Sequence, residues 1–184
     1  MTRRILIAAV AAAACLHGAA AFAATTYHYT STGKNALTFE FVQADAKTPG
    51  AFRDYDVSLT LDDKNPAADK LTVRVRVASL DTQDEERDGI LRGADLFDAK
   101  RHPVATFTST RIVRARGGYK ALGKLTIRDV TRDFSLPFTL RDGHMTGATT
   151  LRRLDFGIGK GEWESTEWVG NDVKVTFDLR PPKA

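Results

Sequence analysis

Cysteine is almost missing from this chain of 184 residues, and the single one, Cys15, sits in the N-terminal stretch. Beyond Cys15 the chain can form no disulfide, present no thiol nucleophile and build no thiolate metal site. Long apolar runs are also scarce: Ile5 to Leu16 is too short for a membrane-spanning helix, which needs roughly 20 residues. No repeat, low-complexity tract or linker divides the rest of the chain. Positive charge is nowhere concentrated. The formal net charge is only +4, and the positive groups are scattered among acids, as in Arg74, Arg76, Asp84, Glu85, Glu86 and Arg87. A nucleic-acid footprint would gather basic residues on one face, so no nucleic-acid partner is expected. His-x-His and His-x-x-x-His spacings do not occur; His102 near Asp95 and Asp98 is the nearest approach to a metal set, while His28 and His144 are isolated. A Gly-x-Ser-x-Gly elbow is missing too, and no nucleophile meets a base at readable spacing. The expectation is a chain with no catalytic residues, no metal and no cofactor.

The N-terminus supplies the first positive signal. Met1-Thr2-Arg3-Arg4, the apolar Ile5–Leu16 and the small-x-small Ala21-Phe22-Ala23 read as a secretory signal peptide cleaved after Ala23. Lipidation at Cys15 is the lesser alternative, because Ala12 stands where a larger aliphatic residue is usual. Residues 24–184 are then one domain, soluble in the periplasm or outside the cell. A domain of that length buries about 70% of the surface its unfolded chain exposes, so it needs no staples.

Eight stretches of this domain alternate apolar and polar residues at period two. They are marked by Leu37, Phe39 and Phe41; Tyr55, Val57, Leu59 and Leu61; Leu71, Val73, Val75 and Val77; Ala105 and Phe107; Tyr119 to Ile127; Phe134 to Leu140; Met145 to Leu151; and Val173 to Leu179. Successive side chains of a strand point to opposite faces, so each run has one apolar face and one wet face. Turn chemistry falls between them, at Thr48-Pro49-Gly50, Asp62 to Pro66, Gly117-Gly118 and Asp142-Gly143. The pattern predicts an all-β, eight-stranded antiparallel barrel around an apolar interior. Two stretches break it. Thr82 to His102 opens with acids, which suits a short helix or a capped turn, and the crossing is expected to pack over one end as a lid. Gly157 to Gly170 carries both tryptophans, Trp163 and Trp168, whose expected task is anchoring the last strand, with the mouth or a membrane surface as alternatives.

Particular segments give the chain a family likeness. Gly50-Ala51-Phe52, Ser79-Leu80-Asp81-Thr82 with Arg87-Asp88 and Leu91, Asp95-Leu96-Phe97-Asp98 and Pro103 to Phe107 follow one another in order. Leu125-Thr126-Ile127 with Thr131 and Arg132, then Arg153, Asp155, Phe156 and Gly157, continue the series. In these the chain resembles the YceI-like family of exported, lipocalin-like barrels that bind polyisoprenoids. It departs where the family usually places histidine-serine and a further histidine: here stand Lys34, Asn35 and Gln43, so headgroup contacts made there are not carried over. Asp129 also stands where glycine is common.

An eight-stranded barrel is either filled by its own side chains or just wide enough for one small ligand, and alternation alone leaves both open. The resemblance implies a hollow interior. The candidate ligand-binding residues are then the inward positions Phe39, Phe41, Tyr55, Val57, Leu59, Val75, Phe107, Ala121, Gly123, Leu125, Phe134, Phe138, Gly147 and Phe177, the small ones leaving room. Arg87 joins them on the lid, either gripping a phosphate with its fork of donors or bracing the lid against carbonyls or an acid such as Asp95. The ligand implied is an isoprenoid lipid, a prenyl quinone or a polyprenyl phosphate, bound and carried without chemistry. Two rivals remain: an accessory subunit with a filled barrel docked on a membrane redox protein, and a hydrolase with its site at the lid.

Overall fold

Each of the eight alternating runs forms a strand, and a computed structural model, which describes residues 24–32, 36–62 and 64–181, adds three more. In chain order these are β1 (Thr25–Thr30), β2 (Ala36–Gln43), β3 (Ala46–Phe52), β4 (Tyr55–Leu61), β5 (Lys70–Arg76), β6 (Leu80–Asp81), β7 (Val104–Ala115), β8 (Gly118–Ile127), β9 (Val130–Arg141), β10 (His144–Arg152) and β11 (Asp172–Leu179). The expected signal peptide, residues 1–23, and both Lys34 and Asn35 lie outside the described residues.

The expected closed eight-stranded barrel is not what forms. Eleven antiparallel strands make one curled sheet in the order β1-β4-β5-β7-β8-β9-β10-β11-β2-β3-β6, a half-barrel whose edges β1 and β6 do not meet. The additions have physical reasons. β3 contains Pro49 and Gly50, read from the sequence as a turn, yet proline is accepted on a strand that needs no amide bond at that point. Most of β3 pairs on one side only, with β2, and gains the short β6 at Ala51 and Phe52. β1 pairs antiparallel with Asp56 to Leu61 of β4, Tyr29 opposite Val57. A second proline shapes the other half. β9 and β10 pair only beside their hairpin, from Arg141–His144 to Thr139–Thr146. Pro137 lies two residues further along and has no N–H to continue that ladder.

Of the two readings of the lid, helix or capped turn, the helix forms. α1 (Glu85–Arg92) begins at Asp84, whose carboxylate accepts the Arg87 backbone N–H at 3.0 Å, and Glu85, Glu86 and Asp88 occupy its first turn. Acids there complement the positive end of the helix dipole.

The interior is divided along the strands. At the end carrying the β9–β10 hairpin it is filled by Tyr29, Tyr55, Val57, Leu59, Leu71, Ile112, Ala121, Phe138, Met145, Phe177 and Leu179. Gly123 and Gly147 make that packing possible instead of leaving room for a ligand. A Cβ on Gly123 would strike the Thr108–Ser109 backbone beside the bulge in β7, and one on Gly147 would strike the Phe177 ring and the Pro137 carbonyl. Gly123→Ala should therefore lower unfolding free energy by about 1–3 kcal/mol, since backbone and not a flexible side chain blocks the new methyl. Urea denaturation of the purified domain measures this; unchanged stability would mean that the bulge gives way.

Candidate ligand-binding cavity

Toward the α1 end the same strands stop filling the interior. A cavity of about 340 Å³ opens there, within the range of small-molecule pockets. Its walls are apolar and come from the remaining halves of the strands: Phe39 and Phe41 of β2, Val73 and Val75 of β5, Ala105 and Phe107 of β7, Leu125 and Ile127 of β8, Phe134 and Leu136 of β9, and Val173 and Val175 of β11. In β5, β7, β8, β9, β10 and β11 one end of the strand plugs the half-barrel while the other lines the cavity. β8 shows this along its length, with Ala121 wholly buried in the plug and Leu125 on the wall.

The sequence-predicted residues divide accordingly. Phe39, Phe41, Val75, Phe107, Leu125, Phe134 and Arg87 line the cavity. Tyr55, Val57, Leu59, Ala121, Phe138 and Phe177 are plug residues, and Gly123 and Gly147 are sites of close approach. Period two identifies the inward face of a strand but not which half of that face meets a partner. Phe52, Phe97, Leu91 and Leu96, from β3 and the lid, also line the cavity and were not among the expected residues. Gly50 was the available signal: it faces Phe39 across β2 and β3, and the Phe39 ring covers the place its side chain would take. Phe52 then packs on Phe39 at 5.1 Å between ring centres, and Phe97 meets Phe52 edge-on at 6.3 Å.

Buried polar bonds hold the lid. The Thr82 hydroxyl donates to Asp88 Oδ1 at 2.6 Å, and the Thr82 backbone N–H reaches the same oxygen at 2.9 Å. Arg87 donates from Nε to Thr82 Oγ1 at 2.8 Å and from Nη2 to the Thr82 carbonyl at 2.9 Å, with Nη1 3.5 Å from Asp84. Arg87 thus lines the cavity and braces the lid at once, its acid being Asp84 and not Asp95. Arg92 ties the far end of α1 to the Ala78 and Leu80 carbonyls.

The opposite wall is held by a buried guanidinium. Arg153 Nε donates to the Gly170 carbonyl, Nη1 to those of Ile158 and Trp163, and Nη2 to those of Ser165 and Val169, at 2.7 to 3.0 Å. These five bonds employ every N–H of the group. Burial pushes its pKa down, yet an arginine keeps its charge in a protein. Arg128, also buried, bonds the Leu96 and Gly157 carbonyls and so joins this wall to the lid segment. Asp98 faces Arg101 at 3.4 Å, His102 at 3.8 Å and Arg128 at 4.0 Å, which makes it a charge partner. The tryptophans do not both anchor the last strand: Trp163 is half-buried on the cavity wall, and Trp168 is 71% exposed.

Two substitutions test these assignments. Arg153→Met leaves five carbonyls without their donor and should cost about 3 kcal/mol or more, with residues 157–170 becoming sensitive to limited proteolysis. Retained stability would show that other donors replace the guanidinium. Tyr55 behaves oppositely: its hydroxyl is buried with no hydrogen-bond partner among the described residues, and burial raises its pKa. Tyr55→Phe removes that unsatisfied group and should stabilise the ligand-free domain by about 1 kcal/mol, read from urea or thermal unfolding.

This architecture is shared with known proteins. The chain is 45% identical over 140 residues to a UPF0312 protein of Yersinia pestis, a match covering 72% of this chain and 65% of that protein's length. BcnA of Burkholderia cenocepacia is similar in structure with a TM-score of 0.75 and 31% identity, over 79% of this chain and 95% of that one. A polyisoprenoid binding domain from Saccharophagus degradans shares the fold at 15% identity, with a TM-score of 0.59 over 86% of this chain and all of that one. The YceI-like domain matches residues 27–180, and the chain therefore belongs to the YceI-like family.

Proposed function

We propose that this chain holds an isoprenoid lipid in the cavity, with its hydrocarbon chain against the aromatic and aliphatic walls and its head toward the lid. The observation that carries this reading is a half-barrel plugged at one end and hollow at the other, with its charged groups on the lid and on Arg153. Each methylene taken from water into such walls gains about 0.8 kcal/mol, so several isoprene units offset the cost of association without precise polar contacts. The Saccharophagus degradans domain, named for polyisoprenoid binding, supports the same ligand class. Residues 1–23 support action outside the cytoplasm, in the periplasm, as a carrier and not a catalyst. The accessory-subunit reading rested on a filled interior, and the cavity takes away that premise.

The groups lining the cavity favour an uncharged head. Arg153 has no N–H to spare, and Arg87 is committed to Thr82 and Asp84. Asp84 and Glu86 also line the wall. A phosphate there would meet two carboxylates while the guanidiniums are engaged elsewhere, so a prenyl quinone fits better than a polyprenyl phosphate. At equal chain length the quinone should bind at least about tenfold tighter, a difference of ~1.4 kcal/mol. Isothermal titration compares the two, and preference for the phosphate would reverse the head assignment. Arg87→Met should lower the melting temperature while weakening both ligands alike.

Room is tested separately. Ala105 is a small residue on the wall, and Ala105→Trp should fill the cavity, abolish lipid binding and leave the domain folded. Native mass spectrometry and circular dichroism read the two outcomes; full lipid binding by the folded variant would place the ligand elsewhere.

A further inference from the structure

Among the described residues, three large apolar side chains are exposed: Val42, Ile90 and Trp168. They are not scattered. Ile90 lines the cavity from α1. Trp168 directly precedes Val169, and Val42 directly precedes Gln43; Val169 and Gln43 both line the cavity and are joined by a β-bridge. The Trp168 carbonyl also accepts the Ala44 N–H at 2.9 Å, which fixes that loop beside the end of β2. Isolated apolar residues on a surface need no explanation. Three around the mouth of one apolar cavity do, and Trp168 at 71% exposure is not packed for stability.

The charges around this rim run against those of the whole chain. The chain is formally basic, at +4. The lid, however, exposes Asp84, Glu85 and Glu86, and the facing loop exposes Glu162, Glu164 and Glu167 against Lys160. Lys47, on the nearby β2–β3 hairpin, is paired with Glu40 at 3.2 Å. An acidic border complements the ammonium groups of zwitterionic headgroups and opposes a sheet of anionic ones.

We propose that this rim docks on a zwitterionic phospholipid bilayer, with Trp168 and Ile90 entering the boundary between headgroups and acyl chains and the lid and loop carboxylates meeting headgroup amines. Tryptophan suits that depth because its ring is apolar and its N–H is polar. The proposal rests on the reading that the cavity takes a lipid, since docking there would let an apolar chain pass from the bilayer without crossing water.

The test uses phosphatidylcholine vesicles and the Trp163→Phe variant, which leaves Trp168 as the sole tryptophan. Its emission should shift to the blue on mixing, and Trp168→Ala in the natural background should weaken co-flotation with the vesicles about tenfold. Replacing a third of the lipid with phosphatidylglycerol should weaken binding at low salt, and added salt should restore it. Tighter binding to the anionic vesicles that ignores Trp168→Ala would overturn the proposal, because net charge would then explain it. Lack of binding to either vesicle would overturn it as well. Prenyl quinone affinity, measured without vesicles, is expected to be unchanged in Trp168→Ala. Vesicle docking without quinone binding would sink the lipid-carrier reading while leaving the docking surface standing.

Discussion

A charged group sealed among carbonyls governs the hollow half of this protein. Among the described residues Arg153 pairs with no carboxylate, and its charge is compatible with burial because five backbone oxygens converge on it. Those oxygens belong to a stretch with little regular structure of its own, and their orphaned lone pairs would otherwise need water. Each side of the arrangement makes the other tolerable: the loop solvates the cation, and the cation organises the loop. Arg128 repeats it on a smaller scale between the lid segment and the same loop. The cavity wall is therefore a polar structure on its outside and an apolar one on its inside.

The second constraint is volume. A curled sheet encloses more space than a chain of this length fills along its whole axis, and the aromatic plug concentrates the filling at one end. Tyr29 closes that end by donating from its hydroxyl to the Gly143 carbonyl at 2.9 Å in the β9–β10 hairpin. Ala121, Gly123 and Gly147 sit in the plug and not on the cavity wall, opposite to the arrangement expected for making room. Close packing explains it, because glycine lets backbones and rings interpenetrate, whereas an open cavity needs rigid walls.

Much of the scaffold was legible because burial on one face imposes period two, and all eight alternating runs form strands. The lid was legible from its acidic start as a helix or a capped turn. β1 and β3 were not: Thr and His dilute the alternation of β1, and Pro49-Gly50 in β3 resembles a turn unless its edge position is known. The site was only half legible. Phe134 and Phe138 are indistinguishable by pattern, yet one lines the cavity and the other plugs the barrel, since their difference lies in what other strands place opposite them. Arg153 was visible in the sequence as one of several matching positions, while its five carbonyl partners are spread over 13 residues of loop that no periodicity describes.

The parting of β9 from β10 at Pro137 has a consequence for how the bore is set. In a closed barrel, strand number and stagger determine the diameter, and widening it requires whole ladders to slip by two residues. Here the ring is interrupted twice, at the free edges and beyond Thr139 and Thr146, so no such integer rule applies. Phe134 and Leu136 of β9 and Thr149 and Leu151 of β10 line the cavity where, among the described residues, no β9–β10 ladder joins them. The girth of the hollow half is thus set by packing across that seam and not by a fixed register.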